Sequence, residues 1–292
     1  MQRQWDALTA RLMKQVIRAT PKRSWSTALG WLARRPVPAR VRARLLTRYA
    51  GLFGIDLSEV ELPLEEYGSV DAFFTRRLRP GARPVAPGAG VVVSPVDGEV
   101  LEHGAITGDR LLQAKGCEYS LAGLLGDEDE AARFVDGTFV TLYLSPRDYH
   151  RIHAPVGGLI VRSQHLAGRF YPVNARAVCD VDGLYTVNER LVTFIEGSAG
   201  RVAVVKVAAL GVGHITATYD EEIHTHARRC AGARTYTPPR PVSKGAEIGV
   251  FHLGSTVIVL FQSGRVALEP LARGDHVRCG APLGRVAAGA GA

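Results

Sequence analysis

Two pairs of closely spaced histidines carry the side chains best suited to acid–base or metal chemistry. His150 and His153 lie three positions apart, and His224 and His226 lie two positions apart, so the second pair would share one face if that segment is a strand. Imidazole changes its charge near neutral pH and is also a common zinc ligand. Neither pair has an HExxH-type spacing or a well-placed carboxylate, so we predict no metal site. Polar surface histidines are the ordinary alternative.

Two short turns hold the other candidate groups. Asp97 lies in the turn Ser94–Gly98, directly after the apolar run Val91–Val93. Ser255 follows Gly254 and precedes another apolar run, and a serine hydroxyl becomes a nucleophile when a base is close to it. The surrounding letters LGSTV do not form the GxSxG elbow of the α/β-hydrolases. Taken alone, both segments are ordinary turns beside buried strands.

The elements that would position these groups are mostly strands. After about residue 85, short apolar or alternating runs are separated by Gly, Pro and Asp, which is typical of a β-sandwich or barrel. Short helices are predicted at Ser120–Leu125 and near Glu128–Phe134, and Arg79–Gly90 is predicted to link the helical and β-rich parts. The predicted strands are Val91–Val93, Thr138–Leu144, Leu191–Ile195, Val202–Leu210, His214–Tyr219, Thr256–Phe261 and Val266–Leu268.

The N-terminal region is basic and amphipathic. The whole chain has a net charge of +8, yet residues 1–48 contain 12 Lys and Arg against one acid, together with all three tryptophans. The spacing of apolar residues predicts helices over Trp5–Ile17, over Ser24–Arg35 and from Pro38 through Tyr49. Basic helices that carry Trp suit a membrane interface with anionic lipid. A helical subdomain with a solvated basic face is the main alternative, and nucleic-acid binding ranks last because no binding motif accompanies the charge.

Composition excludes several classes of protein. The chain is 46% hydrophobic, which is too apolar for a disordered protein. Its four cysteines are widely separated, which argues against a disulfide scaffold or a Cys-based zinc site and favours a reducing compartment. We expect no transmembrane helix, because no apolar run reaches about eighteen residues. We expect no signal peptide, because the first residues lack a continuous apolar core.

In their order and separation, several sequence blocks resemble the phosphatidylserine decarboxylase proenzymes of the bacterial membrane-associated type. The resemblance extends roughly from Leu64 to Phe261 and is looser over the first 60 residues. The block with both central histidines and the LGST step are its most specific parts. The matching blocks are FFTRRLRPGARPV (73–85), SPVDG (94–98), LLQAKGCEYSLAGLLG (111–126), GTFVTLYLSPRDYHRIHAPVGG (137–158), YPVN (171–174) and LGSTVIVLF (253–261).

The resemblance implies a precursor that cleaves itself. Family members are cut between the Gly and Ser of LGST, here Gly254 and Ser255, which would leave a large chain of residues 1–254 and a small chain of residues 255–292. Ser255 would become an N-terminal pyruvoyl group, the covalent cofactor. Its ketone would serve as an electron sink when the serine headgroup of the lipid loses carbon dioxide.

The resemblance also implies roles for individual residues. His153 matches the base of the cleavage step and Asp97 its orienting partner, in the manner of a Ser-His-Asp triad. His150 matches the other family histidine and is the candidate proton donor in decarboxylation. The residues implied to line the substrate entrance, on a weaker match, are Phe170, Tyr171 and Asn174.

Together these inferences predict an α+β fold. Residues 1–80 are expected to form a basic, amphipathic helical membrane-association region, and residues 81–292 a β-rich, sandwich- or barrel-like catalytic domain. The expected partners are phosphatidylserine, an anionic membrane surface on the cytoplasmic face of the cell membrane, and a second copy of the chain in a homodimer. Three alternatives stay open: a pyruvoyl enzyme acting on a soluble amino acid or another amino lipid, a non-enzymatic carrier module, and a zinc hydrolase built on the four histidines.

Overall fold

The computed structural model describes residues 22–114, 117–173, 181–209, 214–223, 225, 232–252 and 255–287. The helices predicted at Ser24–Arg35 and after Pro38 are confirmed, and Trp5–Ile17 lies outside the described residues. The helices and 3-10 turns that precede the first strand are α1 (Lys22–Ala33), α2 (Ala39–Phe53), the turns Leu57–Glu59 and Leu64–Glu66, and α3 (Val70–Phe74).

The chain between Pro38 and α3 forms a small helical layer with its own core. Pro38 precedes α2, where its fixed φ suits a helix start, and Gly54 ends the helix at a φ of 71°. One face of α2 is buried through Leu46 and Ala50, which belong to a cluster that includes Phe73 of α3. This packing joins α2 to α3. In the described part of the chain, no helix is long and apolar enough to cross a bilayer.

The rest of the described chain is mainly β-structure. The strands are β1 (Val91–Val93), β2 (Gly98–Ala105), β3 (Arg110–Ala114), β4 (Cys117–Ser120), β5 (Thr138–Leu144), β6 (Arg151–His153), β7 (Gly158–Leu166), β8 (Arg190–Gly197), β9 (Gly200–Ala208), β10 (His214–Thr216), β11 (Gly232–Val242), β12 (Glu247–His252), β13 (Ser255–Phe261), β14 (Val266–Leu268), β15 (His276–Val277) and β16 (Pro282–Val286). Three short helices lie between them: α4 (Leu121–Leu125), α5 (Glu128–Ala132) and α6 (Leu184–Val187).

The predicted β-strands and the two short helices are found at the expected places. The exception in length is His214–Tyr219, of which only His214–Thr216 is a strand. The chain bends there because the Ala217 N–H donates to the Ile223 carbonyl, which closes a turn after the strand. The last residue of the predicted Val202–Leu210 strand lies outside the described residues.

The strands form a sandwich around two apolar layers. An antiparallel eight-stranded sheet has the order β11-β7-β8-β9-β13-β5-β2-β15, and a three-stranded sheet has the order β10-β12-β6. Strand β13 alternates strictly: Val257 and Val259 belong to the layer shared with the three-stranded sheet, whereas Ile258 and Leu260 belong to the layer under α4. The α+β class and the sandwich-like β-rich part are therefore confirmed.

Candidate active site

Ser255 is the first residue of β13, which is a central strand of the large sheet. Its backbone lies opposite Leu144 at the end of β5 and Ala208 at the end of β9. Pairing on both sides fixes the backbone of residue 255 more firmly than pairing on one side would. Gly254 lies outside the described residues, so the structure describes the site of the predicted cleavage from its Ser255 side.

The sheet register brings the Asp97 turn close to Ser255. Glu99 pairs with Tyr143, which puts Gly98 beside Leu144, the neighbour of Ser255. Asp97 therefore lies two strands away from Ser255, roughly 10 Å at the usual strand spacing. A side chain at residue 98 would be excluded, because a Cβ there would come within 2.8 Å of the Tyr143 carbonyl oxygen. The glycine of the Asp97 turn thus permits this close approach.

The Asp97 carboxylate is buried and held by Arg83. The Arg83 guanidinium donates to both carboxylate oxygens at 2.6–3.0 Å, and the Cys279 N–H donates to one of them at 2.8 Å. Arg83 also pairs with Glu59 at 2.8 Å. Arg79–Gly90 has no helix or strand, as expected of a linker, but its Arg83 takes part in the site. That contribution was not predicted from the sequence.

His150 lies just before β6, in an apolar environment. Its ring is fully buried and packs against Phe74 of α3, with the ring centroids 3.9 Å apart and the ring planes tilted by 43°. Nδ1 lies 2.8 Å from the Asp148 carbonyl oxygen, so Nδ1–H is the donor and Nε2 carries the lone pair. Nε2 is buried without a hydrogen-bond partner among the described residues. Burial, together with the charge of Arg76, lowers the pKa of His150 to about 3, so the ring is neutral near pH 7.

His153, in β6, lies in more polar surroundings. Its Nδ1–H donates to the Gly245 carbonyl at 2.7 Å, and its Nε2 accepts from the Tyr149 hydroxyl at 3.1 Å. Burial lowers the pKa of His153, while the Gly245 carbonyl and the carboxylates of Glu247 and Asp97 oppose that shift. The ring is therefore a neutral base with an oriented Nε2.

The two histidines lie at opposite ends of their pairing with β12. The Phe251 N–H donates to the His150 carbonyl at 3.0 Å, so His150 lies beside the end of β12 that leads to Ser255. His153 pairs with Glu247 at the start of β12. Asp97 and His153 share no direct hydrogen bond among the described residues. They are linked through the backbone, where the His153 N–H donates to the Pro95 carbonyl at 2.8 Å.

Comparisons with known proteins agree with the sequence blocks. A family model for phosphatidylserine decarboxylase matches residues 70–285. A phosphatidylserine decarboxylase proenzyme of Anaeromyxobacter sp. (strain K) is 48% identical over 280 residues, which cover 95% of this chain and 99% of the relative. Those of Myxococcus xanthus and Brevibacillus brevis are 46% and 43% identical, and each match covers 87% of this chain and at least 90% of the relative. The chain belongs to the phosphatidylserine decarboxylase family.

The aromatic segment of this decarboxylase is mostly buried. Phe170 lies in the core layer and is 1% exposed, and Tyr171 is 9% exposed. Fully buried Asn188 accepts from the Tyr171 N–H and donates to the carbonyls of Tyr171 and Ala208, each at 2.9 Å. Because Ala208 pairs with Ser255, this amide fixes the aromatic segment next to the Ser255 strand. Asn174 lies outside the described residues, as do His224 and His226.

The turn before His150 contains Asp148, which contacts Arg76 and His276. No role was predicted from the sequence for these three residues. Asp148 accepts from the Ser145 N–H and hydroxyl through one carboxylate oxygen, and from His276 through the other. Arg76 donates to the Asp148 carbonyl at 3.2 Å, the same oxygen that orients His150. A cavity of about 290 Å³ lies beside this turn, and Asp97 and Arg83 also line it. Arg76 lies in the sequence block that begins FFTRR at residue 73, which matches the decarboxylase family. This block could have identified Arg76 as a candidate, whereas composition alone could not.

Metal ligation finds no support in the described part of the chain. No group of three His, Cys, Asp or Glu side chains is arranged there so that it could hold a metal ion. His276, His252 and His165 each face a carboxylate instead. The second histidine pair lies outside the described residues, so its role in a metal site stays untested.

Proposed function

We propose that this chain decarboxylates phosphatidylserine to phosphatidylethanolamine after cutting itself between Gly254 and Ser255. The cut gives chains of residues 1–254 and 255–292, with a pyruvoyl group formed from Ser255. Membership of the decarboxylase family supports the reaction. The observation that carries the proposal is the placement of Ser255 at the start of a central strand, with the unpartnered Nε2 of His150 beside the strand that leads to it.

For the cleavage step we propose His153 as the base and Asp97 as the group that favours its charged form. The Ser255 hydroxyl attacks the Gly254 carbonyl, and its proton passes to His153 Nε2 once the Tyr149 hydroxyl has turned away from that nitrogen. The proton then passes on to the Ser255 nitrogen, and an ester replaces the amide. The oriented, neutral ring of His153 supports this role. Asp97 acts through its charge, since its hydrogen bonds go to Arg83 and Cys279.

For the following elimination we propose His150 as the base. The base removes the α-proton of residue 255, the electron pair forms the Cα–Cβ double bond, and the Cβ–O bond breaks to release the Gly254 carboxylate. Tautomerisation and hydrolysis then release ammonia and leave the ketone. Neutral His150, whose Nε2 has no hydrogen-bond partner in the described part of the chain, accepts the proton. Because burial makes its protonated form a strong acid, His150 is also suited to return a proton to carbon after decarboxylation.

The residues present fit a pyruvoyl group at position 255. The backbone there is fixed between two strands, and the unpartnered His150 Nε2 leaves one proton-transfer position available. Such a group supplies an electron-accepting carbonyl for the loss of carbon dioxide from an amino acid headgroup. Asn188 would hold the aromatic segment at residues 170–173 in place as a wall for the headgroup.

We propose that the chain contacts the membrane through α1 and α2. Apolar side chains on these helices are exposed, including Trp31 at 54%, Leu32 at 61% and Leu52 at 78%. Arg34 directly follows α1 and Arg44 lies on α2, and each basic group near an anionic surface adds about 1 kcal/mol. Residues 1–80 would thus place residues 81–292 on the cytoplasmic face of the cell membrane. A homodimer is implied by the resemblance alone, and sedimentation of the purified protein tests it.

The first test is the intact mass of the purified protein under denaturing conditions. We expect two chains, with residues 255–292 lighter by one ammonia than the same chain with an intact N-terminal serine. The purified enzyme should then convert phosphatidylserine in mixed vesicles and leave free serine unchanged. A single uncut chain in a folded, lipid-supplemented preparation would refute the proposal. Turnover of free serine would show that the substrate is a soluble amino acid and not a lipid.

A further inference from the structure

Helix α3 contacts the end of β12 that leads to the cleavage site. Asp71, in α3, is largely buried, and the Nδ1–H of His252 donates to its two carboxylate oxygens at 3.1 and 3.3 Å. His252 is the last residue of β12 and lies two positions before Gly254. A residue in the N-terminal helical layer therefore holds the chain immediately before the bond that is cut.

His252 also contacts Thr216 and His214. Its Nε2 lies 3.5 Å from the Thr216 hydroxyl, and its ring lies 4.8 Å from the ring of His214, centroid to centroid. His214 is its partner across the strand pair. Among the described residues, Asp71 is thus the one carboxylate that pairs with His252.

The same short helix also contacts the groups that face the site. Phe74 packs against the His150 ring, and the Thr75 carbonyl that follows the helix accepts from the Arg151 guanidinium at 2.9 Å. Arg76 donates to the carbonyl that orients His150. These contacts fix α3 against β6, so that Asp71 provides a rigid attachment point for His252.

The bond between residues 254 and 255 is flanked by two fixed positions. Ser255 is held by β5 and β9, and His252 is held by Asp71. Three residues span at most about 10 Å, so a shift of His252 must be taken up within this short connection. Intramolecular attack depends steeply on the position of the reacting atoms, and a displacement of about 1 Å can slow such a step about 100-fold.

We propose that Asp71 is a positioning residue for self-cleavage, because its pairing with His252 fixes the chain that delivers the Gly254 carbonyl to Ser255. This inference rests on the proposed self-cleavage. Asp71 touches no reacting atom and acts through His252. The helical layer then has a second task besides membrane association, since the precursor matures at a normal rate only when α3 is packed on β12.

The test follows the cleavage rate of newly made precursor in a cell-free translation, by the appearance of residues 255–292. We expect Asp71→Ala and His252→Ala each to slow cleavage roughly ten-fold, and the double variant to be no slower than the slower single variant. Asp71→Asn should be slowed less, because its amide oxygen can still accept the Nδ1–H. Glu130→Gln is the matched control: it alters a carboxylate that is at least as buried as Asp71 and that pairs with Arg162 and with Arg201, the latter at the far end of β9 from Ala208.

The outcomes separate this inference from the function on which it rests. Wild-type cleavage rates in folded Asp71→Ala, or additive effects in the double variant, would overturn the positioning role and leave self-cleavage standing. Equal slowing in Glu130→Gln would also overturn it, because the effect would then follow from lost stability alone. If the wild-type chain itself is never cut, the proposed function fails first. Thermal unfolding of each variant in the uncleavable Ser255→Ala background shows whether it is folded.

Discussion

His150 and His153 are three positions apart in the sequence, yet they lie in different environments. His150 is enclosed by Phe74 and the end of β12, and the charge of Arg76 adds to the effect of burial in lowering its pKa. His153 lies between the Gly245 carbonyl and the Tyr149 hydroxyl, with Glu247 facing it across the strand pair.

Burial lowers the pKa of both rings, but only at His153 do nearby carboxylates oppose it. Identical side chains are thus prepared for different proton transfers by their surroundings. The nearby carboxylates help His153 to hold a proton, whereas buried His150 takes up a proton only transiently.

The largest effect is expected from removing the residue that both histidines serve. Ser255→Ala lacks the hydroxyl that attacks Gly254, so we expect an uncut chain with no measurable decarboxylation. Mass spectrometry of the denatured protein and release of carbon dioxide from labelled phosphatidylserine vesicles are the measurements. A cut Ser255→Ala chain would mean that another residue is the nucleophile, and the comparison of the two histidines would lose its basis.

The next largest effect is expected at His150. In His150→Gln the ester should form but not eliminate, because no base takes the α-proton of residue 255. We expect a full-length mass that hydroxylamine splits into residues 1–254 and 255–292, and decarboxylation reduced about 1,000-fold. A His150→Gln chain that matures normally and only decarboxylates slowly would limit this histidine to the role that the sequence comparison implies.

His153 and Asp97 are expected to affect an earlier step. His153→Gln should slow ester formation about 100-fold, and its full-length chain should resist hydroxylamine. Asp97→Asn should slow the same step less, and it should also lower the melting temperature because Arg83 loses a buried partner. If Asp97 acts on His153, the double variant Asp97→Asn/His153→Gln should form the ester no more slowly than His153→Gln alone. Additive rates would show that Asp97 supports the fold through Arg83 and has no separate effect on the base.

Much of this arrangement follows from local sequence signals, and the rest does not. The apolar run in β13 and the helix start after Pro38 are local patterns, so the strand and helix positions were predictable. Ser255, His150 and Asp97 were proposed from the resemblance of their sequence blocks to the family. The pairing of Asp97 with Arg83 and of Asp71 with His252 joins residues 14 and 181 positions apart. Such contacts depend on sheet register and packing, which no single segment encodes.

The smallest expected effect concerns acid stability, and it compares the two rings directly. The pKa of His150 falls from 6.5 in the unfolded chain to about 3 in the folded one. Between these values the unfolded state binds the extra proton, so stability is full above pH 6.5 and decreases as the pH falls. The loss is about 1.4 kcal/mol per pH unit for one such group.

Urea unfolding of the uncleavable Ser255→Ala chain between pH 7 and pH 4.5 measures this loss. In His150→Gln the free energy of unfolding should fall less steeply with decreasing pH, by the slope that corresponds to about one proton, because the variant has no group there to protonate. His153→Gln should flatten the decrease less, because the Gly245 carbonyl and the nearby carboxylates partly restore the pKa of that ring. Equal flattening by the two variants would mean that their environments do not differ in the way that separates their proposed roles.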